Sequence, residues 1–109
     1  MRNLVKIAVS VAVLLGTANA SDLEVKVCMG TANFVELSMK AYQQGVSKSK
    51  VKSIVAGEFA GKRHYINELN LLVEAIYQSP KVSGKEKIDA VAQMYSDRAF
   101  RKCLEGALK

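Results

Sequence analysis

Apolar residues recur at helical spacing in four segments of the chain, and short polar or glycine-containing stretches separate these segments. In the first segment the spacings are four, three, four and three residues, which places the apolar side chains on one face of a helix. These residues are Cys28, Ala32, Val35, Met39 and Tyr42. We predict that Gly45 ends this helix as a C-cap. Residues 23–27 alternate with period two, and there we predict an extended leader.

The second segment predicts a helix that begins near Lys48, because the Ser47 hydroxyl can accept a hydrogen bond from a free backbone N–H at the helix start. Its predicted inner face consists of Val51, Ile54, Val55 and Phe59. The third helix is predicted to begin near Lys62 and to stop at Ser79 and Pro80, since proline cannot continue a helix. Its predicted buried face consists of Tyr65, Leu69, Leu72, Val73 and Ile76.

The fourth segment opens with Ser83 and Glu86, at the spacing of a capping box, in which each side chain satisfies a free backbone N–H at a helix start. The apolar residues that follow share one helical arc. They are Ile88, Val91, Ala92, Tyr95, Ala99 and Cys103. No period-two pattern typical of a strand continues for more than a few residues. The sequence therefore predicts an all-α fold, a small bundle of about four helices.

The N-terminus has the three regions of an export signal. Two basic residues stand among the first six, an apolar run follows over residues 7–15, and small residues continue to Ala20. We predict a signal peptide at residues 1–20 that is cleaved after Ala20, a single helical domain at residues 21–109, and a periplasmic location. A retained N-terminal anchor is the alternative, but the apolar run is short for a membrane span.

Cys28 and Cys103 are the only cysteines of the chain, and export would place them in an oxidising compartment. We predict that they form one disulfide, which links the first helix to the last. Because Cys28 lies at the start of one helix and Cys103 at the end of the other, these helices are predicted to run antiparallel. A redox-active pair is the alternative, but such cysteines are usually close in sequence.

Composition narrows the class of protein. The chain has 109 residues, half of them hydrophobic, 24% of them charged, and a single proline. These values exclude a disordered chain, a collagen-like chain and a multidomain enzyme. The net charge is +6 for the whole chain and +4 once residues 1–20 are removed. This mild excess suits an anionic partner, and it also simply aids solubility.

A cluster of basic residues in the middle of the chain is the candidate binding site. The cluster consists of Lys48, Lys50, Lys52, Lys62 and Arg63. Positive charge in the first turn of the second helix opposes the helix dipole, a local cost that a binding role would explain. The alternative is a solvated helix face with no specific partner.

The sequence contains no recognisable catalytic constellation. His64 is the only histidine, and Glu68 stands four residues after it, but one such pair does not make a metal site. Glu86 and Asp89 are explained as acidic residues that a helix N-terminus favours. No nucleophile stands in a context that would activate it. We predict no catalytic residue, no metal ion and no cofactor.

Several short motifs stand in a fixed order along residues 21–109. They are Cys28; Gln43, Gln44, Gly45 and Val46; Ala75, Ile76 and Tyr77 with Pro80; Ala99 and Phe100; and Cys103. In this order the chain resembles a group of small exported two-cysteine helical proteins of phages, prophages and proteobacteria. The resemblance implies an exported helical protein and, for phage-borne members, a role in altering the host envelope against other phages.

Together these observations predict a non-enzymatic periplasmic binding protein that acts at the cell envelope, with phage superinfection exclusion as the specific role. The expected partner is an envelope or phage-entry protein, or an anionic envelope surface. No stable nucleic-acid complex is expected, because the tyrosines fall on predicted inner faces and are not free to stack on bases. The alternatives are a periplasmic stress chaperone, an inhibitor of a cell-wall hydrolase, and a small enzyme. The main objection to an enzyme is that the sequence lacks a catalytic constellation.

Overall fold

The computed structural model describes residues 22–107, and these residues form four α-helices without a strand. The helices are α1 (Asp22–Gln43), α2 (Lys48–Glu58), α3 (Arg63–Ile76) and α4 (Lys85–Ala107). The prediction of an all-α fold with a small number of helices is confirmed. The predicted signal peptide at residues 1–20 lies outside the described residues.

Two antiparallel helix pairs build the fold. The long helices α1 and α4 pack against each other, and the disulfide between Cys28 and Cys103 joins the start of α1 to the end of α4. Helices α2 and α3 form a hairpin, in which α3 packs on α1 and α2 packs mainly on α3. The hairpin is antiparallel because Lys48, at the start of α2, meets Glu74, near the end of α3.

The hydrophobic core lies where α3 packs against the pair formed by α1 and α4. Its centre consists of Val35, Met39, Ile76 and Ala92, all of which are fully or almost fully buried. Partly buried apolar side chains, six from the same three helices and one from Tyr77 directly after α3, surround this centre. They are Phe34, Tyr42, Leu72, Tyr77, Val91, Tyr95 and Ala99. Most of the predicted apolar faces of α1 and α4 meet here, together with Leu72 and Ile76 of α3. Leu69 and Val73 of α3 are also buried as predicted, whereas Tyr65 packs on Phe59 instead.

The start of α1 differs from the prediction. Residues 23–27 are helical and not an extended leader, so that α1 begins at Asp22. Val25 is buried and extends the core stripe one turn before Cys28, while Leu23 and Val27 lie together on another face. An alternation of apolar and polar residues over only five positions is compatible with an extended segment and with a helix. In a helix, positions i and i+4 lie on the same face. Asp22 and Glu24 in the first turn add a favourable interaction with the helix dipole.

The end of α1 is closed by Gly45, as predicted. Gly45 has a φ of +91°, in the left-handed region that glycine adopts without steric cost. Its N–H donates to the Tyr42 carbonyl at 3.1 Å, and the N–H of Val46 donates to the Ala41 carbonyl at 2.9 Å. These two bonds form a Schellman motif, which satisfies carbonyls that the helix end leaves free.

The short helix α2 confirms its predicted start but not its whole predicted inner face. The Ser47 hydroxyl accepts a hydrogen bond from the N–H of Lys50, which makes Ser47 the N-cap. Val51 and Val55 are buried, whereas Ile54 is 53% exposed, so the prediction for Ile54 is wrong. Because α2 packs mainly on one neighbour, it buries a narrower stripe than a helix with two neighbours.

The starts of α3 and α4 fall close to the predicted positions. Helix α3 begins at Arg63, with Lys62 in the N-cap position. Helix α4 begins at Lys85, and the N–H of Ile88 donates to the Gly84 carbonyl at 3.0 Å. Gly84 therefore occupies the N-cap position that the capping box assigned to Ser83, and it adopts a φ of +93°.

The connection between α3 and α4 is fixed to the end of α1 by the side chain of Gln43. The Gln43 amide donates to the Pro80 carbonyl at 3.0 Å and accepts from the N–H of Val82 at 2.9 Å. The Lys81 ammonium donates to the Tyr42 carbonyl and lies 4.2 Å from the centre of the Tyr42 ring. These contacts hold the connection in one place, so that α4 returns antiparallel to α1.

Three tyrosines complete this attachment. Tyr77 donates to the Val46 carbonyl at 2.6 Å, and its ring lies 4.7 Å from that of Tyr42. Tyr42 donates to the Ser79 carbonyl, and the Ser79 hydroxyl donates to Tyr95 at 3.0 Å. Burial, with a smaller effect of Tyr42, raises the pKa of Tyr77 and so favours the protonated hydroxyl that donates. The motif residues Gln43, Val46, Tyr77 and Pro80 thus share a structural role.

Candidate functional site

The disulfide between Cys28 and Cys103 is formed, as predicted. Its sulfurs are 2.06 Å apart and the two Cα atoms are 5.5 Å apart, within the normal range for this bond. Cys28 is 1% exposed. Its burial and its bond exclude a role as a freely accessible thiol in this state. The disulfide is therefore a structural link between α1 and α4.

Several small buried side chains lie in the α1–α4 interface beside the disulfide. Ala32 is buried there, and the Ser96 hydroxyl donates to its carbonyl at 2.9 Å. Val25 is the largest buried apolar side chain in the first two turns of α1. The disulfide thus joins α1 to α4 beside these buried residues.

Glu74 binds two of the lysines of the predicted basic cluster. The Lys48 ammonium lies 3.0 Å from a Glu74 oxygen, and the Lys52 ammonium is hydrogen bonded to the other oxygen. The bond from Lys52, and then that from Lys48, lowers the pKa of Glu74. This arrangement offsets the positive charge in the first turn of α2, which otherwise opposes the helix dipole.

The remaining members of the basic cluster are divided between two places. Lys50 is exposed near the start of α2, whereas Lys62 and Arg63 are exposed at the turn between α2 and α3. Helix α2 has 11 residues and a length of about 16 Å, which separates its first turn from this turn. The five residues that are clustered in sequence thus divide into a partly neutralised group and a group at the tip of the hairpin.

The hairpin tip, defined as residues 59–65, combines aromatic and basic side chains. Residues 60–64 are all exposed, and Gly61 turns the chain with a φ of +87°. Phe59 and Tyr65 flank the turn and pack edge to face, with ring centres 4.9 Å apart. His64 lies 3.0 Å from Glu68, but its side chain is 90% exposed. The tip therefore presents two cations next to a half-buried aromatic pair.

A second basic group was missed in the sequence. Arg98, Arg101 and Lys102 are exposed on α4 near the disulfide, and the Arg98 guanidinium lies 5.4 Å from the centre of the Tyr95 ring. Their spacing of three and four residues was the available signal, since residues so spaced on a helix are neighbours. The described surface thus has basic residues both on the hairpin and on α4.

Metal-binding clusters and membrane-spanning helices are both absent among residues 22–107. No group of three or more histidines, cysteines and carboxylates within this range is arranged to hold a metal ion. No helix in the same range has the length and hydropathy needed to cross a bilayer.

Comparisons with family models, with curated proteins and with solved structures give no match.

The contacts of Glu74 predict a pH-dependent effect of Glu74→Gln. Because the pKa of Glu74 is lowered in the folded state, its carboxylate stabilises the fold fully above the ordinary value of 4.5. This contribution is lost as the pH falls through the lowered value. We therefore expect the variant to be less stable than the parent protein at neutral pH, with the difference shrinking on acidification.

Urea unfolding from pH 7 down to pH 3 measures this difference. The control is Glu105→Gln, which removes an exposed carboxylate from α4. We expect the control to follow the parent protein more closely than Glu74→Gln at neutral pH. A constant difference between Glu74→Gln and the parent protein across the whole range would contradict the assigned role of the carboxylate.

Proposed function

We propose that the chain is an exported, non-enzymatic binding protein that acts at the cell envelope and contacts its partner through the hairpin tip. The observation that carries this proposal is the grouping of Lys62 and Arg63 beside Phe59 and Tyr65 on an exposed turn. Aromatic side chains and arginine dominate the energetics of many protein interfaces, since they contribute large apolar area and directed hydrogen bonds.

The charge of the tip suits an acidic partner. Lys62 and Arg63 are exposed there, whereas Lys48 and Lys52 are held by Glu74 and contribute less to the outward field. Exposed cations steer the approach of an anionic surface and increase the association rate. The proposed partner is an acidic region of an envelope or phage-entry protein, or an anionic envelope surface.

The disulfide supports the export part of this proposal. Disulfides persist in oxidising compartments such as the bacterial periplasm and are rare where thiols are kept reduced. A bond between Cys28 and Cys103 therefore fits a chain that loses residues 1–20 on export. The role in phage superinfection exclusion rests on the resemblance to small exported phage and prophage proteins.

A stress chaperone is the second candidate, because one observation favours it. Leu23, Val27 and Leu37 are exposed on α1, with 71%, 47% and 66% of their surface accessible. Exposed apolar side chains in a row are a surface on which unfolded chains can be held. This candidate predicts broad binding that does not depend on the hairpin tip.

Crosslinking in the host followed by mass spectrometry tests the proposal. The test variant carries Lys50→Glu, Lys62→Glu and Arg63→Glu, which leave the Glu74 contacts in place. The matched control carries Arg98→Glu, Arg101→Glu and Lys102→Glu, which change the net charge by the same amount on α4. We expect the parent protein and the control to capture one acidic partner, and the test variant to lose it by at least 10-fold, on the order of the effect of a few interface charges.

Three other outcomes would contradict the proposal. Equal loss in both variants would indicate attraction by net charge alone. Capture of many unrelated unfolded proteins by all three chains would indicate a chaperone. Selective complex formation with lysozyme that neither variant weakens would favour a cell-wall hydrolase inhibitor. Circular dichroism of each variant establishes that the helices are retained.

A further inference from the structure

Lysines from distant parts of the sequence lie together at one end of the fold. The connection from α1 to α2 and the connection from α3 to α4 are both at this end, and the Tyr77 hydroxyl joins them by donating to the Val46 carbonyl at 2.6 Å. We call residues 36–52 and 74–89 the lysine end. Its lysines are Lys40, Lys48, Lys50, Lys52, Lys81, Lys85 and Lys87.

Ion pairs between different helices connect the parts of the lysine end. Glu74 of α3 lies 3.0 Å from Lys48 of α2 and is hydrogen bonded to Lys52, also of α2. Asp89 of α4 lies 3.9 Å from Lys40 of α1. All four helices therefore contribute charged side chains to this one end.

The positive excess of the described residues is located at the lysine end. It contains seven lysines and four carboxylates, whereas the rest of residues 22–107 contains six basic and six acidic residues. Two helices begin at this end and two stop there, so that their dipoles have opposite signs and largely cancel. The excess therefore comes from side chains. The carboxylates of this end are Glu36, Glu74, Glu86 and Asp89.

The excess is greatest at the start of α2 and at Lys81. Lys48, Lys50 and Lys52 have a single carboxylate, that of Glu74, beside them. Lys81 is exposed and donates to the carbonyl of Tyr42, a neutral acceptor, so that its charge is not compensated. This part of the surface therefore attracts anions although Glu74 holds two of its lysines.

The side chains of the lysine end suit a fluid anionic surface better than one fixed binding site. Every cation there is a lysine, and an ammonium group lacks the planar fork with which arginine binds one carboxylate or phosphate in a set geometry. Tyr42 and Tyr77 are half-buried and donate to backbone carbonyls, so they are not free to stack on bases. Lysines near a leaflet of anionic lipids are attracted without such a fixed partner.

We propose that the lysine end docks on the surface of a bilayer that contains anionic phospholipids. Helix α2, with 11 residues and a length of about 16 Å, leads from the lysine end to the hairpin tip, so docking leaves the tip away from the lipid. This inference rests on the export part of the proposed function, because export brings the chain to a membrane surface. It does not rest on the partner of the tip.

Co-sedimentation of the purified exported chain with vesicles tests the docking. The vesicles contain phosphatidylglycerol and phosphatidylethanolamine, and vesicles of phosphatidylcholine are the neutral comparison. The variant Lys50→Glu/Lys87→Glu reverses two exposed lysines whose side chains bind no other group among residues 22–107. Each lysine near an anionic leaflet contributes about fivefold in affinity, so we expect the variant to bind the anionic vesicles at least 10-fold more weakly than the parent protein. We expect the parent protein to bind neutral vesicles far more weakly, and to lose affinity for anionic vesicles as salt is added.

Lys62→Glu/Arg63→Glu is the matched control, because it changes the net charge by the same amount at the hairpin tip. We expect it to bind anionic vesicles like the parent protein, and circular dichroism checks that each variant is folded. Equal weakening of both variants would overturn the proposal, because net charge alone would then explain binding. A parent protein that does not bind anionic vesicles would also overturn it, as would equally tight binding of soluble polyphosphate.

The same two variants separate this proposal from that of the hairpin tip. Crosslinking in the host reports on the partner of the tip, and we expect Lys62→Glu/Arg63→Glu to lose that partner while it still binds vesicles. Vesicle binding uses no other protein. A failure of the docking therefore leaves capture at the tip standing, and a failure of capture leaves the docking standing.

Discussion

Replacing both cysteines, as Cys28→Ala/Cys103→Ala, is expected to lower the free energy of unfolding by about 4 kcal/mol. The two residues are 75 positions apart in sequence. A crosslink over so long a loop restricts the unfolded chain strongly. Small domains have a net stability of about 5–15 kcal/mol, so this loss is a large part of the total.

Thermal and urea unfolding measure the effect directly. For a domain of this size the midpoint temperature should fall by roughly 20 °C. Parent protein treated with a reductant should unfold like the double variant, while the reductant should leave the double variant unchanged. If oxidised and reduced parent protein have the same stability, the bond does not stabilise the fold and this prediction is wrong.

The second large effect is expected from Met39→Ala. Met39 is 0% exposed and lies at the centre of the core, in contact with residues of α3 and α4. Truncation of a fully buried methionine removes its apolar burial and leaves a cavity that the neighbours fill only in part. We expect a loss of about 3 kcal/mol in the free energy of unfolding.

The same substitution at Met94 provides the control, because Met94 is 47% exposed on α4. We expect Met94→Ala to change the free energy of unfolding by less than about 0.5 kcal/mol. Urea denaturation of both variants, with circular dichroism as the probe, gives the comparison. Equal losses at the two positions would mean that the core does not lie where α3 meets α1 and α4.

The helical fold was predictable because its signals are local or covalent. The apolar stripe from Cys28 to Met39 spans several turns, and Gly45 and Ser47 mark a helix end and a helix start through their own chemistry. With only two cysteines, one intramolecular disulfide was possible. Antiparallel packing of the first and last helices followed from that bond.

The candidate site was less predictable because its charges are arranged by the tertiary fold. Glu74 follows Lys48 by 26 residues, and no local spacing indicates that they meet. The exposure of Ile54 likewise depends on how many neighbours α2 has, which its own sequence does not encode. The division of the basic cluster between the start of α2 and the hairpin tip is visible only in three dimensions.

The hydrogen bond from Tyr77 to the carbonyl of Val46 brings the two ends of the hairpin segment together. The two ends of the α2–α3 hairpin, residues 47–76, therefore lie close together beside the end of α1. Insertions and substitutions at the hairpin tip need not move either long helix. Surface segments whose ends lie close together typically tolerate such changes. Changes of length or sequence at residues 59–65 are therefore expected to leave the disulfide-linked pair of long helices in place.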